Sequence, residues 1–268
     1  FEVLSTLFSY SFMMRALLAG ALVALCAALL GVSLVLKRYS MIGDGLSHVS
    51  FGALSIAVAF NWAPLAVSIP VVAAAAVLLL RITGNGKIKS DAAIAMISAG
   101  SLAIGIIVPS LTTDVSSYMF GSILAMSRED MCLSVVLSLV VLGMFVICYN
   151  KVFAVTFDES FAKATGVRVS AYNLLIAVLT AITIVLGMRM MGAMLISSLV
   201  IFPALTSMRV FKSFFGVVVS SGVVSVVCFF IGLILSYVYS IPAGASVVVV
   251  NLAMFGMFSV VQMVKQSR

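Results

Sequence analysis

The sequence predicts an all-α, polytopic membrane protein with about nine, eight to nine, transmembrane helices. Three observations carry that reading. Hydrophobic residues make up 64% of the 268 residues and charged residues only 9%, against about 25% charged in an ordinary soluble domain. The apolar residues fall in long, nearly uncharged runs, several of which approach or exceed the ~18 residues that mark a membrane-crossing helix. In lipid each backbone amide must be bonded inside its own segment, which makes these runs helices and not sheet.

The net charge of +7 would point to nucleic acid in a soluble protein. Here it is assigned to basic loops on the cytoplasmic side, and no nucleic-acid partner is expected. Residue 1 is Phe, so the true start is expected to precede it. Cys26, Cys132, Cys148 and Cys228 lie in apolar settings without a Cys-x-x-Cys and read as small apolar fillers.

In chain order, span one runs from about Ala16 to Leu36 and ends at Lys37-Arg38. Span two covers Ile42 to Phe60, and Asn61-Trp62-Ala63-Pro64 makes a turn with Trp62 suited to an interface. Span three reaches Leu80 and stops at Arg81; Gly84 and Gly86 break the helix, and Ser90 or Asp91 can cap the next. Span four covers Ala92 to Val108 and is closed by Pro109. Segment 110–130 is too polar at both ends to cross, and its middle, 118–126, reads as a short interfacial helix. Span five goes from Met131 to Tyr149, ending at Lys151. After an amphipathic segment at 157–169 come span six, Tyr172 to Leu186, a tight turn at Gly187–Gly192, and span seven, Ala193 to Met208, with Pro203 expected to kink it. Span eight is Phe214 to Tyr237, and the last runs from Ser246 to Val264 behind a turn containing Pro242. No boundary divides residues 1–268, so one membrane domain is expected.

The loops set the orientation. One alternating set holds Lys37, Arg38, Arg81, Lys87, Lys89, Lys151, Lys163, Arg168, Arg209, Lys212, Lys265 and Arg268; the other holds Arg15, Arg128 and Arg189. The positive-inside rule places the first set in the cytoplasm, with the N-terminus outside and the C-terminus inside. Eight spans remain an option if one weak segment is re-entrant.

Three places carry chemistry. Asp44 and His48, the only histidine, stand four residues apart in SMIGDGLSHVSFG. On a helix that spacing sets Cβ atoms about 5–6 Å apart on one face, where carboxylate and imidazole can share a divalent cation. An ionisable group within an apolar span is costly and commonly faces a cavity or a partner. The plainer reading is that Asp44 caps span two while His48 bonds a neighbouring carbonyl. Gly43 and Gly45 suggest close backbone approach or local unwinding, and Ser47, water or a second helix would complete the ligand set. The second place is FDESFAKATGVRV, 157–169. Phe157, Phe161 and Ala164 form an apolar stripe, Asp158 and Glu159 suit a helix N-terminus, and Gly166 can end the helix. Such a helix either rests on the bilayer or docks a cytoplasmic partner. The third is MRMMGAML, 188–195, whose four sulfurs suit soft ions such as Cu(I) or simple packing.

Absences exclude other classes. There is no G-x-x-x-x-G-K-[ST], and one histidine cannot make H-E-x-x-H. An enzyme or a pump carrying its own motor is therefore not expected. A channel, a proton-coupled carrier, and a permease with a separate motor remain.

From Phe12 to Val58, and again at KSDAAIAM (89–96), YMFGSILAMSRED (118–130), FDESFAKATGVRV (157–169), MGAMLISSLVIFPALTS (191–207) and IPAGASVVVV (241–250), the chain resembles the permease subunits of bacterial metal-ion ABC importers, the zinc/manganese/iron uptake family. The G-D-x-L-x-H pattern at 43–48 followed by F-D-x-x-F-A-x-x-x-G at 157–166 is specific to it. The resemblance implies a type II ABC importer-like bundle in the bacterial cytoplasmic membrane. It implies a permease homodimer with two cytoplasmic ATP-binding subunits and an extracytoplasmic metal-binding protein. No permanent cofactor is implied; the cargo would be Zn2+, or Mn2+ or Fe2+. The family's metal-contacting Asp and His map onto Asp44 and His48. Its ATPase-coupling helix maps onto 157–166, with Phe157, Asp158, Glu159, Phe161, Ala162 and Gly166 matching the pattern. Ser160 and Thr165 depart from its commoner Glu and Leu. Siderophore- and vitamin-type ABC permeases are similar in their spans but lack the Asp/His pair. Only neutral imidazole can ligate a metal, so uptake is expected to fall as acid protonates His48.

Overall fold

The structure, a computed structural model, describes residues 11–84, 90–110 and 128–266. Among these there is no strand. Eleven helices follow one another: α1 (Ser11–Leu36), α2 (Ser40–Ala59), α3 (Pro64–Gly84), α4 (Ser90–Ser110), α5 (Arg128–Ile147), α6 (Tyr149–Phe157), α7 (Glu159–Ala164), α8 (Val169–Met191), α9 (Ala193–Val210), α10 (Phe214–Tyr239) and α11 (Ala243–Gln266). Eight of them, α1–α4 and α8–α11, are long and apolar enough to cross a membrane; α5 and α6 reach that length and hydropathy only as a pair bent by 68°, a broken span or a re-entrant loop. The protein is a polytopic helical membrane protein of eight or nine spans.

α1, α2 and α8 form the inside of the bundle. Ala24, Ala27, Leu30, Leu46, Ile184 and Val185 are essentially sealed from solvent. α4 and α11 lie outside and expose Met96, Ile107, Leu252 and Met263, as lipid-facing surfaces do. Lipid tails are as apolar as Leu, so helices in a bilayer associate through close packing of small residues and through hydroxyl hydrogen bonds. Both devices are present. A Cβ placed on Gly31 of α1 would lie 2.0 Å from the Val200 carbonyl oxygen of α9, and one on Gly52 of α2 would lie 2.7 Å from that of Ser101 in α4. From α10, Ser221 and Ser225 donate to the Ala28 and Ala24 carbonyls of α1 at 3.3 and 2.9 Å.

Several sequence expectations change. Span five ends close to the expected place, α5 stopping at Ile147; what the sequence did not show is the 68° bend at Cys148 and the further helix, α6, to Phe157. The tight turn expected at 187–192 shrinks to Gly192 alone, whose φ of +84° lets α8 run through Met191 and α9 start at Ala193. Met188, Met190 and Met191 are therefore core residues while Met194 is exposed; the four sulfurs do not form one soft-metal site. In segment 157–169 the helix starts and ends as expected, with Asp158 and Glu159 at its N-terminus and Gly166 past its end, but Phe157 falls in α6 because Asp158 adopts extended backbone and separates α6 from α7. The 118–126 segment, Lys87 and Lys89 lie outside the described residues.

Candidate metal site and coupling segment

α2 starts at Ser40 behind Tyr39, which makes no side-chain cap. Asp44 is already one turn inside, so it does not cap the helix. Nor is the backbone unwound at Gly43 or Gly45, since α2 is continuous from Ser40 to Ala59. The glycines serve close approach instead. A Cβ on Gly43 would meet Val200 of α9 at 3.3 Å; one on Gly45 would meet Ile94 of α4 at 2.7 Å. Residues advance about 100° around a helix per position, so Asp44 and His48 project between the α9-facing and α4-facing sides. Their side chains are 43% and 29% exposed, and His48 Nε2 lies 3.8 Å from Asp44 Oδ2.

That separation suits a shared cation. Metal–ligand bonds of about 2.0–2.2 Å place two donors of a tetrahedral shell about 3.4 Å apart, a few tenths of an ångström less than observed. Ser47 does not join them. It is buried against α9, donating to the Gly43 carbonyl at 2.9 Å and sharing a hydrogen bond with Ser197 Oγ at 2.9 Å. Among the described residues no third His, Cys, Asp or Glu completes a cluster, and His48 Nδ1 is buried without a hydrogen-bond partner. A ligand imidazole is ordinarily oriented by a partner on its other nitrogen, which raises its basicity.

The second site is built around α7. Asp158 caps it, its Oδ1 accepting from the Ser160 and Phe161 amides at 2.9 Å each. Gly166 ends the turn in the left-handed region at φ +81°. Ala162 is buried with Val155 and Val169, whereas Phe157 and Phe161 are exposed. The stripe expected from Phe157, Phe161 and Ala164 is thus replaced: Ala162 anchors the helix, Phe161 points away from the bundle, and Phe157 belongs to α6, tilted against Phe153 and edge-on to Phe214.

Sequence reasoning missed the partners of Glu159. Its Oε1 accepts from Lys37 Nζ at 2.8 Å and from Asn173 Nδ2 at 3.0 Å, and Lys37 also donates to Asn173 Oδ1. Partial burial of Glu159 works against ionisation, yet hydrogen bonds from Lys37 and Asn173 and the charges of Lys37 and Lys163 outweigh it and hold the carboxyl below its usual range. Nothing in the sequence signals a contact between positions 122 and 136 residues apart.

Residues 9–262 match the ABC 3 transport family. The chain belongs to that family. It is 29% identical over 259 residues to the manganese import system permease protein ScaB of Streptococcus gordonii, covering 95% of this chain and 92% of that one. It is 26% identical to the high-affinity zinc uptake system membrane protein ZnuB of Haemophilus influenzae, covering 92% and 96%. The structure of PsaBC from Streptococcus pneumoniae in complex with Fab superposes with a TM-score of 0.87 at 28% identity, over 96% of this chain and 94% of that one. As an ABC-3 protein the chain is a permease of the metal-ion ABC importer type, a transporter component and not an enzyme.

Proposed function

We propose that the chain is one of two identical membrane subunits of an importer of divalent transition-metal ions, in which Asp44 and His48 give the ion a transient stop. The supporting observation is the pair itself: a carboxylate and an imidazole 3.8 Å apart on one face of an apolar helix, with α9 and α4 closed in on either side. Oxygen plus imidazole suits zinc, manganese and ferrous iron and disfavours monovalent copper. Zinc, which binds such donors more tightly than manganese or ferrous iron, is the proposed main cargo. Two ligands leave the remaining positions to water, so the ion is released again and not trapped in a closed cage.

Alternating access is driven by two ATP-binding subunits docked on α7, where exposed Phe161 is offered to a cleft, and a metal-binding protein outside delivers the ion. The cytoplasmic end of the bundle is the one carrying Lys37, Arg38, Arg81, Lys151, Lys163, Arg168, Arg209, Lys212 and Lys265, which recur at alternate helix ends. The N-terminus is then outside and the C-terminus cytoplasmic.

The test is uptake of radioactive zinc by the reconstituted complex, with manganese and iron as competitors. Asp44→Ala and His48→Ala each abolish uptake while the assembled complex persists; normal uptake in either removes the pair from the pathway. Uptake insensitive to vanadate, with no ATPase subunit copurifying, would assign the chain to a passive channel or a proton-coupled carrier.

A further inference from the structure

Lys37 stands apart from the other cations at the helix ends. Its neighbour Arg38 is exposed, but the Lys37 side chain is only 6% exposed. Holding an ammonium group there requires acceptors, and they come from two other elements: Glu159 of α7 and Asn173 in the first turns of α8. Asn173 also donates to Glu159, so the three side chains close a triangle. Tyr39 belongs to the same corner: burial, and then the negative charge of Glu159, push its phenol above the usual range.

The corner that carries Lys37 is stiff. Only three residues, 37–39, separate α1 from α2. The Lys37, Arg38 and Tyr39 amides donate to the Ser33, Val35 and Leu34 carbonyls at 3.1, 3.0 and 2.8 Å, and the Ile42 amide to the Tyr39 carbonyl at 2.9 Å. Arg38 takes φ +60°, a conformation costly for a residue with a Cβ, which the surrounding hydrogen bonds hold in place. A displacement delivered to Lys37 has no slack to take up before α2. At 1.5 Å of rise per residue, Asp44 lies about 6 Å and His48 about 12 Å along the axis from Ser40.

We propose that Lys37 is a positioning residue that ties α7, through Glu159 and Asn173, to the α1–α2 corner, so that movement of α7 is passed to the helix bearing Asp44 and His48. This rests on the reading of α7 as the segment on which the ATP-binding subunit docks. Lys37 touches neither the ion nor the nucleotide. It converts motion at the motor into a shift of α2, and its loss uncouples hydrolysis from transport without detaching the motor.

The experiment uses the complete reconstituted complex and measures three quantities: copurification of the ATPase subunit, ATP hydrolysed, and zinc ions taken up per ATP. Lys37→Gln and Asn173→Ala retain the ATPase subunit and hydrolyse ATP, but uptake per ATP falls about tenfold. The charge exchange Lys37→Glu with Glu159→Lys recovers most of it. A merely structural contact would lower yield or thermal stability and leave that ratio unchanged. The inference is overturned if Lys37→Gln and Asn173→Ala both keep the wild-type ratio, or if the ratio falls and the exchange restores none of it while the exchanged complex assembles. If the exchanged complex fails to assemble, Lys37→Gln and Asn173→Ala decide alone. Phe161→Asp separates the underlying reading: if this variant keeps its ATPase subunit, α7 is not the docking segment, whatever Lys37 does.

Discussion

Gly31→Ala tests the packing that positions the candidate metal pair. Gly31 lets α1 and α9 touch at the backbone. A Cβ there would stand 2.0 Å from the Val200 carbonyl oxygen, 2.9 Å from its carbon and 3.2 Å from its Cα. Reaching even 3.0 Å requires α9 to retreat by about 1 Å, and no side-chain rotation can relieve a clash with backbone. Overpacking of this kind costs about 1–3 kcal/mol. Ala gains back about 1 kcal/mol in helix propensity, so the variant is destabilised by up to about 2 kcal/mol. The displacement also bears on function, because Val200 packs against the Gly43 position of α2 and Ser197, one turn earlier on α9, is bonded to Ser47. Pushing α9 away therefore loosens one wall beside Asp44. Gly143→Ala is the control: an added Cβ there meets nothing within 4 Å, so it gains the propensity term alone. Thermal unfolding of the purified complex should place Gly31→Ala below wild type and Gly143→Ala level with it or above, with uptake reduced only in the first. A Gly31→Ala complex as stable as the Gly143→Ala one would refute the reasoning.

Three further expectations follow from the same contacts. Ser47→Ala should keep most zinc uptake and lose only about 0.6 kcal/mol of an interhelical hydrogen bond, since Ser47 faces α9 and not the Asp44/His48 side; complete loss of uptake would make its hydroxyl a ligand. Asp158→Ala removes the cap of α7 and should cost that helix about 1 kcal/mol, seen as faster amide exchange over 159–164 and weaker retention of the ATPase subunit; unchanged exchange would show that Ala162 and Glu159 hold α7 without its cap. The Glu159 carboxyl is depressed in the folded protein, so its contribution to docking α7 is complete above the ordinary value of 4.5 and is lost as pH falls through the lowered value. Exchange in α7, corrected for the intrinsic rate, should therefore stay constant at neutral and mildly acidic pH and rise only in stronger acid, and Glu159→Gln should abolish that step.

Much of this protein was legible along the chain, because lipid leaves little choice. A long apolar run must satisfy its own backbone, so the span number to within one and the approximate boundaries follow from hydropathy alone. Asp44 and His48 were visible for the same reason: a carboxylate and an imidazole one turn apart in a run such as Ile42 to Phe60 have no other charged neighbours. What a single helix does not encode is which neighbour each face meets. Whether Gly43 and Gly45 unwind α2 or admit α9 and α4, and whether Ser47 turns toward the pair or toward Ser197, depended on side chains more than forty residues away. The bend at Cys148 was likewise invisible, since an apolar run reads the same straight or bent, and the turn read at Gly187–Gly192 gave no sign that Gly192 alone would make it. The Lys37–Glu159–Asn173 triangle is the clearest case: each residue is ordinary where it stands, and only the folded bundle, by denying Lys37 water, turns three unremarkable positions into one contact.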